Sequence, residues 1–474
     1  MNQPPIPQLS RRNMLRSVSS GFGYLAFSAL AHEQALAESG KASSPLDPKS
    51  PHFEPRAKRI IYLSMRGAPS HLDTFDYKPK LAKDHGTAGK YGGTRGAMLM
   101  KSPWEFNQHG ESGLWISELF PQLAKQADDL CLLRSMQTDQ PNHPQATLQM
   151  HTGSFQFVRP SLGAWSLYGL GTENSNLPGF VTLNPFGSAQ NYGSSFLPAI
   201  YQGSKISSGG RNRPGGSRGG RGGNSAPKIP NIKNTNLSNE QQRDYLDYVQ
   251  SLNRHSLERT IHQPGIEGVI ESFELAFRMQ DSLPEQVDIN GETQETLDLY
   301  GIGNEATDGF GKQCLLARRF AEAGVRFIEI THSSSWDHHR NLKNDMEKNC
   351  NEIDQPIAGL LQDLKNRDML KDTLVIWAGE FGRTPHGQGN DGRDHNNKGF
   401  TTWMAGGGTK GGFSYGATDE HGYEAVENKM HIHDWHATIL HLLGLNHEKL
   451  TYNYAGRDFR LTDVHGQVAE EIIA

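Results

Sequence analysis

Thr373-Leu-Val-Ile-Trp-Ala378, running straight into Gly379-Glu380-Phe381-Gly382-Arg383-Thr384-Pro385, is the stretch from which the fold can be read. The first half is an unbroken apolar, β-branched and aromatic run, which predicts a strand buried on both faces. The second half places a carboxylate and a guanidinium directly at its end. A charge in that position is costly unless it is paired or used. In open α/β sheets the carboxyl edge of the strands is where ligands bind, so the stretch predicts a parallel sheet with a site at its end.

Working outward, the same grammar recurs. Phe400 to Ala405 is another apolar strand, preceded by a predicted loop, Gly387–Gly392, and by Arg393-Asp394-His395-Asn396-Asn397. Ile60 to Met65 is a third run; Arg66-Gly67-Ala68-Pro69-Ser70-His71-Leu72-Asp73 follows it. Val325 to Ile330 is a fourth, with period-2 alternation, and leads into Trp336-Asp337-His338-His339. Asp337-x-His339 on a strand-end loop is an ordinary way to hold a divalent metal. Histidine and aspartate on a loop are more often plain surface, but three such sets, each behind a buried strand, raise the site above that reading. Ser70, His71 and Asp73 crowd one turn, so they fit single contributors better than a triad. Asn142 and His143 open a predicted helix, Pro144–Thr152, ended by Gly153. There Asn142 serves as a cap, or the free N–H groups hold an anion.

The remaining chain supplies scaffold. Helices are predicted over Trp115–Ala127, Phe310–Ala323 and His433–Leu443, and a short strand over Leu130–Leu133. A helical insertion is predicted over about 238–283, from Tyr245, Tyr248, Val249 and Leu252 through Met279. Residues 203–228 are rich in glycine and arginine, without an apolar anchor between Ser207 and Ala226, and predict a flexible surface loop.

The chain has 474 residues, a formal net charge of -5 and a pI near 6.5, which gives no reason to expect nucleic acid as the partner. Cys131, Cys314 and Cys350 are too few and too scattered for a disulfide framework or a thiolate zinc site. Ser10-Arg11-Arg12 precedes a short apolar run, Gly21–Ala31, and two small-residue exits, Ala29-Leu30-Ala31 and Ala35-Leu36-Ala37. These features predict a twin-arginine signal over 1–37, cleaved after Ala31 or Ala37, and export to the periplasm or cell envelope. Residues 38–57 predict a linker and 58–474 the working domain. No later stretch reaches 18 apolar residues, so no membrane span is expected in the mature chain.

Taken together, Gly67–Asp76, Asn142-His143 through Gly153, Trp336–His339, Gly379–Pro385, Gly392–His395 and Ala405–Gly412 resemble the alkaline phosphatase and sulfatase superfamily. More closely, they resemble the exported domain-of-unknown-function family numbered 1501. The resemblance implies a three-layer α/β/α sandwich around a mostly parallel sheet. It also implies metal ligands at Asp337, His339, Glu380 and His395. Three departures stand out. Ser64-Met65-Arg66 occupies the place of a metal-binding aspartate, Asn142-His143 the place of the nucleophile, and Phe381, which cannot bind a metal, the place of a ligand histidine.

The function these residues suggest is an exported hydrolase of sulfate or phosphate esters with one divalent ion, Zn, Mn or Fe rather than Ca. The substrate would be an anionic small molecule or glycan ester. Arg383 or Arg66 would hold the anionic oxygens, and His143 would act as acid, base or covalent acceptor. Ser70, Asp73 and Asp394 are further candidates. The rival is a non-catalytic anion- or glycan-binding protein on the same scaffold, favoured by the missing nucleophile.

Overall fold

A computed structural model describes residues 44–89, 97–206, 236–259 and 264–474. Within these, the strand runs assemble into one nine-stranded sheet. We number the elements used here β1 (Arg59–Ser64), β2 (Leu130–Gln137), β3 (Phe180–Leu183), β4 (Ser204–Ile206), β5 (Phe327–Thr331) and β6 (Thr373–Ala378). They continue as β7 (Gly382–Gln388), β8 (Gly392–Asn396), β9 (Phe400–Ala405), β10 (Phe413–Tyr415) and β11 (Met430–His431). The sheet order is β10-β2-β9-β6-β1-β5-β3-β4, with β11 also against β2. Only β9 runs against its neighbours, β2 and β6; every other pairing in this sheet is parallel. The central strands β1, β6 and β5 therefore deliver their carboxyl ends to one edge.

Period-2 alternation divides β1 between two cores. Ile61 and Leu63 join Cys314, Leu315, Phe320, Ile353, Ile357 and Leu361 on one face. Ile60 and Tyr62 join Leu162, Trp165, Trp435, Ile439 and Leu440 on the other. Helices α5 (Asp308–Glu322) and α6 (Leu342–Asn366) cover the first face. Helices α2 (Leu162–Leu170) and α7 (Ile432–Leu442) cover the second, so the architecture is the expected α/β/α sandwich. Burying a large aliphatic side chain contributes roughly 1.5–3 kcal/mol, and both faces of the sheet collect such residues. Helix α1 (His143–Thr152) carries its Asn142 cap and its left-handed Gly153 stop. Helices α3 (Asn239–Arg259) and α4 (Pro264–Val287) pair through Arg243 and Glu274, and Leu283 and Val287 of α4 enter the first core.

Four expectations change. The helix expected over Trp115–Ala127 is a strand, Leu114–Ser117, followed by a 3₁₀ turn at Leu123–Asp129. The apolar residues have the right spacing, but Leu114 and Ile116 alternate inward as in a strand. The loop expected around Gly387–Gly392 is the tip of a hairpin, β7 against β8, in which His395 faces Arg383. The linker expected over 38–57 is packed from Ser44 onward, because backbone bonds tie Lys49 to Leu170, and His52 and Phe53 to Gly444, and Ala57 is fully buried. Of the loop expected over 203–228, Ser204–Ile206 is instead a strand paired in parallel with β3. The remainder of that loop, from 207, and the predicted signal lie outside the described residues.

Candidate metal centre

Four strand ends and one helix start build the site. Gly67, behind β1, has φ +98°, and a Cβ there would sit 2.8 Å from the backbone nitrogens of Trp336 and Asp337. Only glycine permits that approach, and it seats the loop behind β5 against the loop behind β1. Trp336 N–H donates to the Arg66 carbonyl at 3.0 Å, and the Trp336 side chain is fully buried beneath. From this seat Asp337 and His339 project upward. Helix α1 brings His143, and β8 brings His395.

The side chains converge on one atom. Asp337 Oδ1 lies 3.1 Å from His143 Nε2, 2.9 Å from His339 Nε2 and 3.4 Å from His395 Nε2. One donor atom from each of these four residues falls within 4.8 Å of the others. The outer nitrogen of every imidazole is already committed. His143 Nδ1–H donates to Glu380 Oε1 at 2.6 Å, His395 Nδ1–H to the Pro141 carbonyl at 2.6 Å, and His339 Nδ1–H to Gln388 Oε1. With the proton held outside, each neutral ring points a bare Nε2 inward, the second-layer arrangement that orients histidine toward a metal. His143 Nε2 is buried and has no hydrogen-bond partner of good geometry.

The spacing also fits a common centre. Two donors each about 2.0–2.1 Å from one ion, at tetrahedral to right angles, would lie roughly 2.9–3.4 Å apart. With protons in place of the ion, burial lowers the pKa of His143, but the Asp337 and Glu380 carboxylates beside its two ring nitrogens outweigh this and raise it to about 9. Burial likewise opposes ionisation of Asp337, yet hydrogen bonds from His143, His395 and Arg383 hold its carboxyl well below the usual range. The donor set, three imidazoles and one carboxylate, suits Zn, Mn or Fe and not an oxygen-seeking Ca.

Several expected residues take other places. Glu380 is not among the four converging groups. It is buried one layer back, taking Gly67 N–H on both oxygens, at 2.9 and 3.2 Å, as well as His143. Arg383 is buried, with Nε on the Ala68 carbonyl, Nη1 on the Arg393 carbonyl, and Nη2 against the Gly67 and Trp336 carbonyls and Asp337, so it ties the site's loops together rather than facing the cleft. Asp73 is fully buried in a two-pronged bond to Arg393, at 2.7 and 3.1 Å, and Ser70 donates to the same carboxylate. Both act as framework between the loop behind β1 and β8. Asp394 stands at the rim, 4.0 Å from His339 Nδ1, and accepts from the His395 amide. Phe381, which has no atom to ligate with, packs against the His143 and His395 rings at 4.8 and 4.6 Å and closes the floor.

Beside the four groups opens a cleft of about 700 Å³, lined by Arg66, His143, Leu148, Phe155 and Phe186 among others. Arg66 stacks on Phe186, its Cζ 3.7 Å from the ring centroid, and makes no side-chain hydrogen bond or ion pair among the described residues. The hydroxyl-bearing residues that line this cleft are Thr147, Ser188 and Ser335, not the buried Ser70. Pro141 and Gln388, which hold two of the three histidines, carry no signal in the sequence, because their partners lie 254 and 49 positions away.

A family model described as "Protein of unknown function (DUF1501)" matches residues 57–473. Among curated proteins none matches the chain in sequence. Its fold is similar to that of the sulfatase PsFucS1 from Pseudoalteromonas sp., at 13% identity, 83% of this chain, 69% of that chain and a TM-score of 0.34. It is also similar to the lipoteichoic acid synthase LtaP from Listeria monocytogenes, at 9% identity, 88% and 78% coverage and a TM-score of 0.36. A third is the C-terminal periplasmic domain of EcEptC from Escherichia coli in complex with Zn, at 9% identity, 86% and 88% coverage and a TM-score of 0.35.

Proposed function

The chain belongs to the DUF1501 family, and for it we propose the function of an exported hydrolase of sulfate or phosphate esters that works with one divalent cation. The observation that supports this most is the inward convergence of three bare Nε2 atoms and one carboxylate oxygen, each imidazole fixed from behind. His143, Asp337, His339 and His395 hold the cation, which when bound supplies Lewis-acid polarisation of an ester oxygen or of water. His143 thus passes from acid or base to ligand, and Glu380 from ligand to the group that keeps the proton on His143 Nδ1. Arg66 faces the cleft with its donors free and holds the anionic ester oxygens. Phe381 and the buried Arg383 pack against the ligands away from the cleft, and the cleft gives an ester an approach to Asp337 and His143.

Four protein donors bear on the choice of metal. Zinc in a four-coordinate site is closed and structural, whereas Mn or Fe keeps further positions for a substrate oxygen. The test is a panel of aryl and sugar sulfates and phosphates, assayed after loading with each ion. Turnover that requires Asp337 and Arg66 supports the enzyme. Anion binding that requires Arg66, with no turnover under any ion, decides for the binding protein.

The working unit in this reading is residues 58–474, delivered by the twin-arginine signal over 1–37. Among the described residues no helix is long and apolar enough to cross a membrane. Changing Arg11 and Arg12 together to Lys should leave the precursor inside the cell; normal export of that double variant removes the signal from the proposal.

A further inference from the structure

We propose that the cleft beside Arg66 is the first part of a longer groove that binds an anionic oligosaccharide; this rests on reading that cleft as the ester pocket. Phe155 lines the cleft and also a second hollow of about 210 Å³ on its other side. That hollow shares Asp139, His433 and His465 with a third, of about 550 Å³. Shared lining residues thus connect the three in series, the first two beside α1.

The first two repeat one device. In the cleft, Arg66 stacks on Phe186, which is 55% exposed. In the second hollow, Arg159 lies 4.2 Å from the Phe459 centroid and 5.5 Å from that of Phe157, which is 60% exposed. Arg159, like Arg66, makes no side-chain hydrogen bond or ion pair among the described residues. A guanidinium held flat by phenyl rings keeps its fork of donors for a ligand. The exposed rings of Phe157 and Phe186 also offer surface to the C–H side of a pyranose. Past them, His433 and His465 stack at 5.0 Å, and His433 is fixed by its 2.8 Å bond to the Gly153 carbonyl.

The charge pattern selects the occupant. Asp139 and Asp463 line the second hollow, and Asp434 and Glu448 the third. Such a lining repels a nucleic acid strand, which carries a phosphate on every unit. It suits a chain whose charges are sparse and whose hydroxyls donate to carboxylates. A glycan with a sulfate or phosphate on some of its units meets both demands.

The experiment is calorimetric titration of the full, metal-loaded chain with size-fractionated oligosaccharides of κ-carrageenan and of carboxyl-reduced chondroitin 4-sulfate, each carrying one sulfate per disaccharide. The desulfated forms of both and a single-stranded oligonucleotide serve as controls. In at least one sulfated series, affinity should rise about tenfold or more from disaccharide to hexasaccharide, and desulfation should remove most of it. Arg159→Ala and Phe157→Ala should each erase most of the gain with length, with melting temperatures unchanged. Phe157 is largely exposed, so its variant reports on binding even where the arginine variant folds poorly. Affinity independent of length, survival of the gain in Phe157→Ala, tighter binding of the oligonucleotide, or no binding in either series overturns the proposal. Length-dependent binding with no ester cleavage supports the groove while removing the hydrolase.

Discussion

The Nε2 atoms of His339 and His395 face each other at 2.9 Å, and both rings keep their proton on the far side, toward Gln388 and Pro141. Two lone pairs at that distance repel unless a proton or a cation lies between them. A cation held by both rings would relieve that repulsion.

Purified chain should carry about one divalent ion, fewer than a two-metal site holds. Asp337→Ala and His395→Ala should lose it, while His436→Ala, whose ring is buried against the Met150 carbonyl, should retain it. Chelation should lower Tm by a few degrees, because an ion that binds only the folded state adds its binding free energy to stability. Elemental analysis of the three variants checks this, and a metal-replete wild type without metal rejects the ligand set.

In the proposed site Glu380 would act on the cation through His143. Glu380→Gln keeps the size and one acceptor oxygen but removes the charge that anchors the imidazole proton. Affinity for the ion should fall about 10- to 100-fold, with the ion still bound at saturation. Competition against a fluorescent chelator measures the loss; an unchanged affinity would return Glu380 to the role of bystander.

The Asp73–Arg393 pair is fully buried on both sides. Removing one partner strands the other charge, so Arg393→Met should cost about 3–5 kcal/mol. The double variant Asp73→Leu with Arg393→Met should be less destabilised than the sum of the singles, because no charge is left unpaired. Denaturant unfolding of all four proteins closes the cycle. Additive losses would mean that the two residues do not depend on each other.

Burial lowers the His436 pKa to about 3 against the modest opposing pull of its bond to Met150. The unfolded chain then binds a proton that the folded chain refuses. Stability should fall as pH drops from about 6.5 toward 3, with a slope of up to about 1.4 kcal/mol per pH unit from this group. His436→Gln keeps a donor for Met150 and should flatten that part of the profile. Identical slopes in wild type and variant would show that other groups govern acid unfolding.

The strands were legible because sheets buried on both faces demand unbroken apolar runs, and Thr373–Ala378 and Ile60–Ser64 have nothing else to be. The site's address was legible for the same reason, since polar residues at such ends stand out. Which polar residue would ligate and which would support it was not. Glu380 and Asp337 are both carboxylates behind buried strands. What separates them is the path of the backbone at Gly67, whose amide reaches Glu380 and whose missing Cβ admits Asp337. Arg383 looked like an anion holder because its five donors are visible in a sequence and their partners are not. The helix expected over Trp115–Ala127 failed on spacing alone, where a short strand and a 3₁₀ turn together imitated one amphipathic face.

The four converging side chains come from positions 143, 337, 339 and 395, on α1, the loop behind β5 and the second strand of the hairpin. No early local contact can bring them together, because the sheet must order before its edge exists. A cation then has only the local pair Asp337 and His339 to grip while the chain is searching for its fold, too few donors to act as a nucleus. Its influence falls on the return path: it should leave the folding rate nearly untouched and slow the rate of opening. The ion would work as a latch on a finished structure, so the loaded protein outlasts the empty one chiefly by its lifetime.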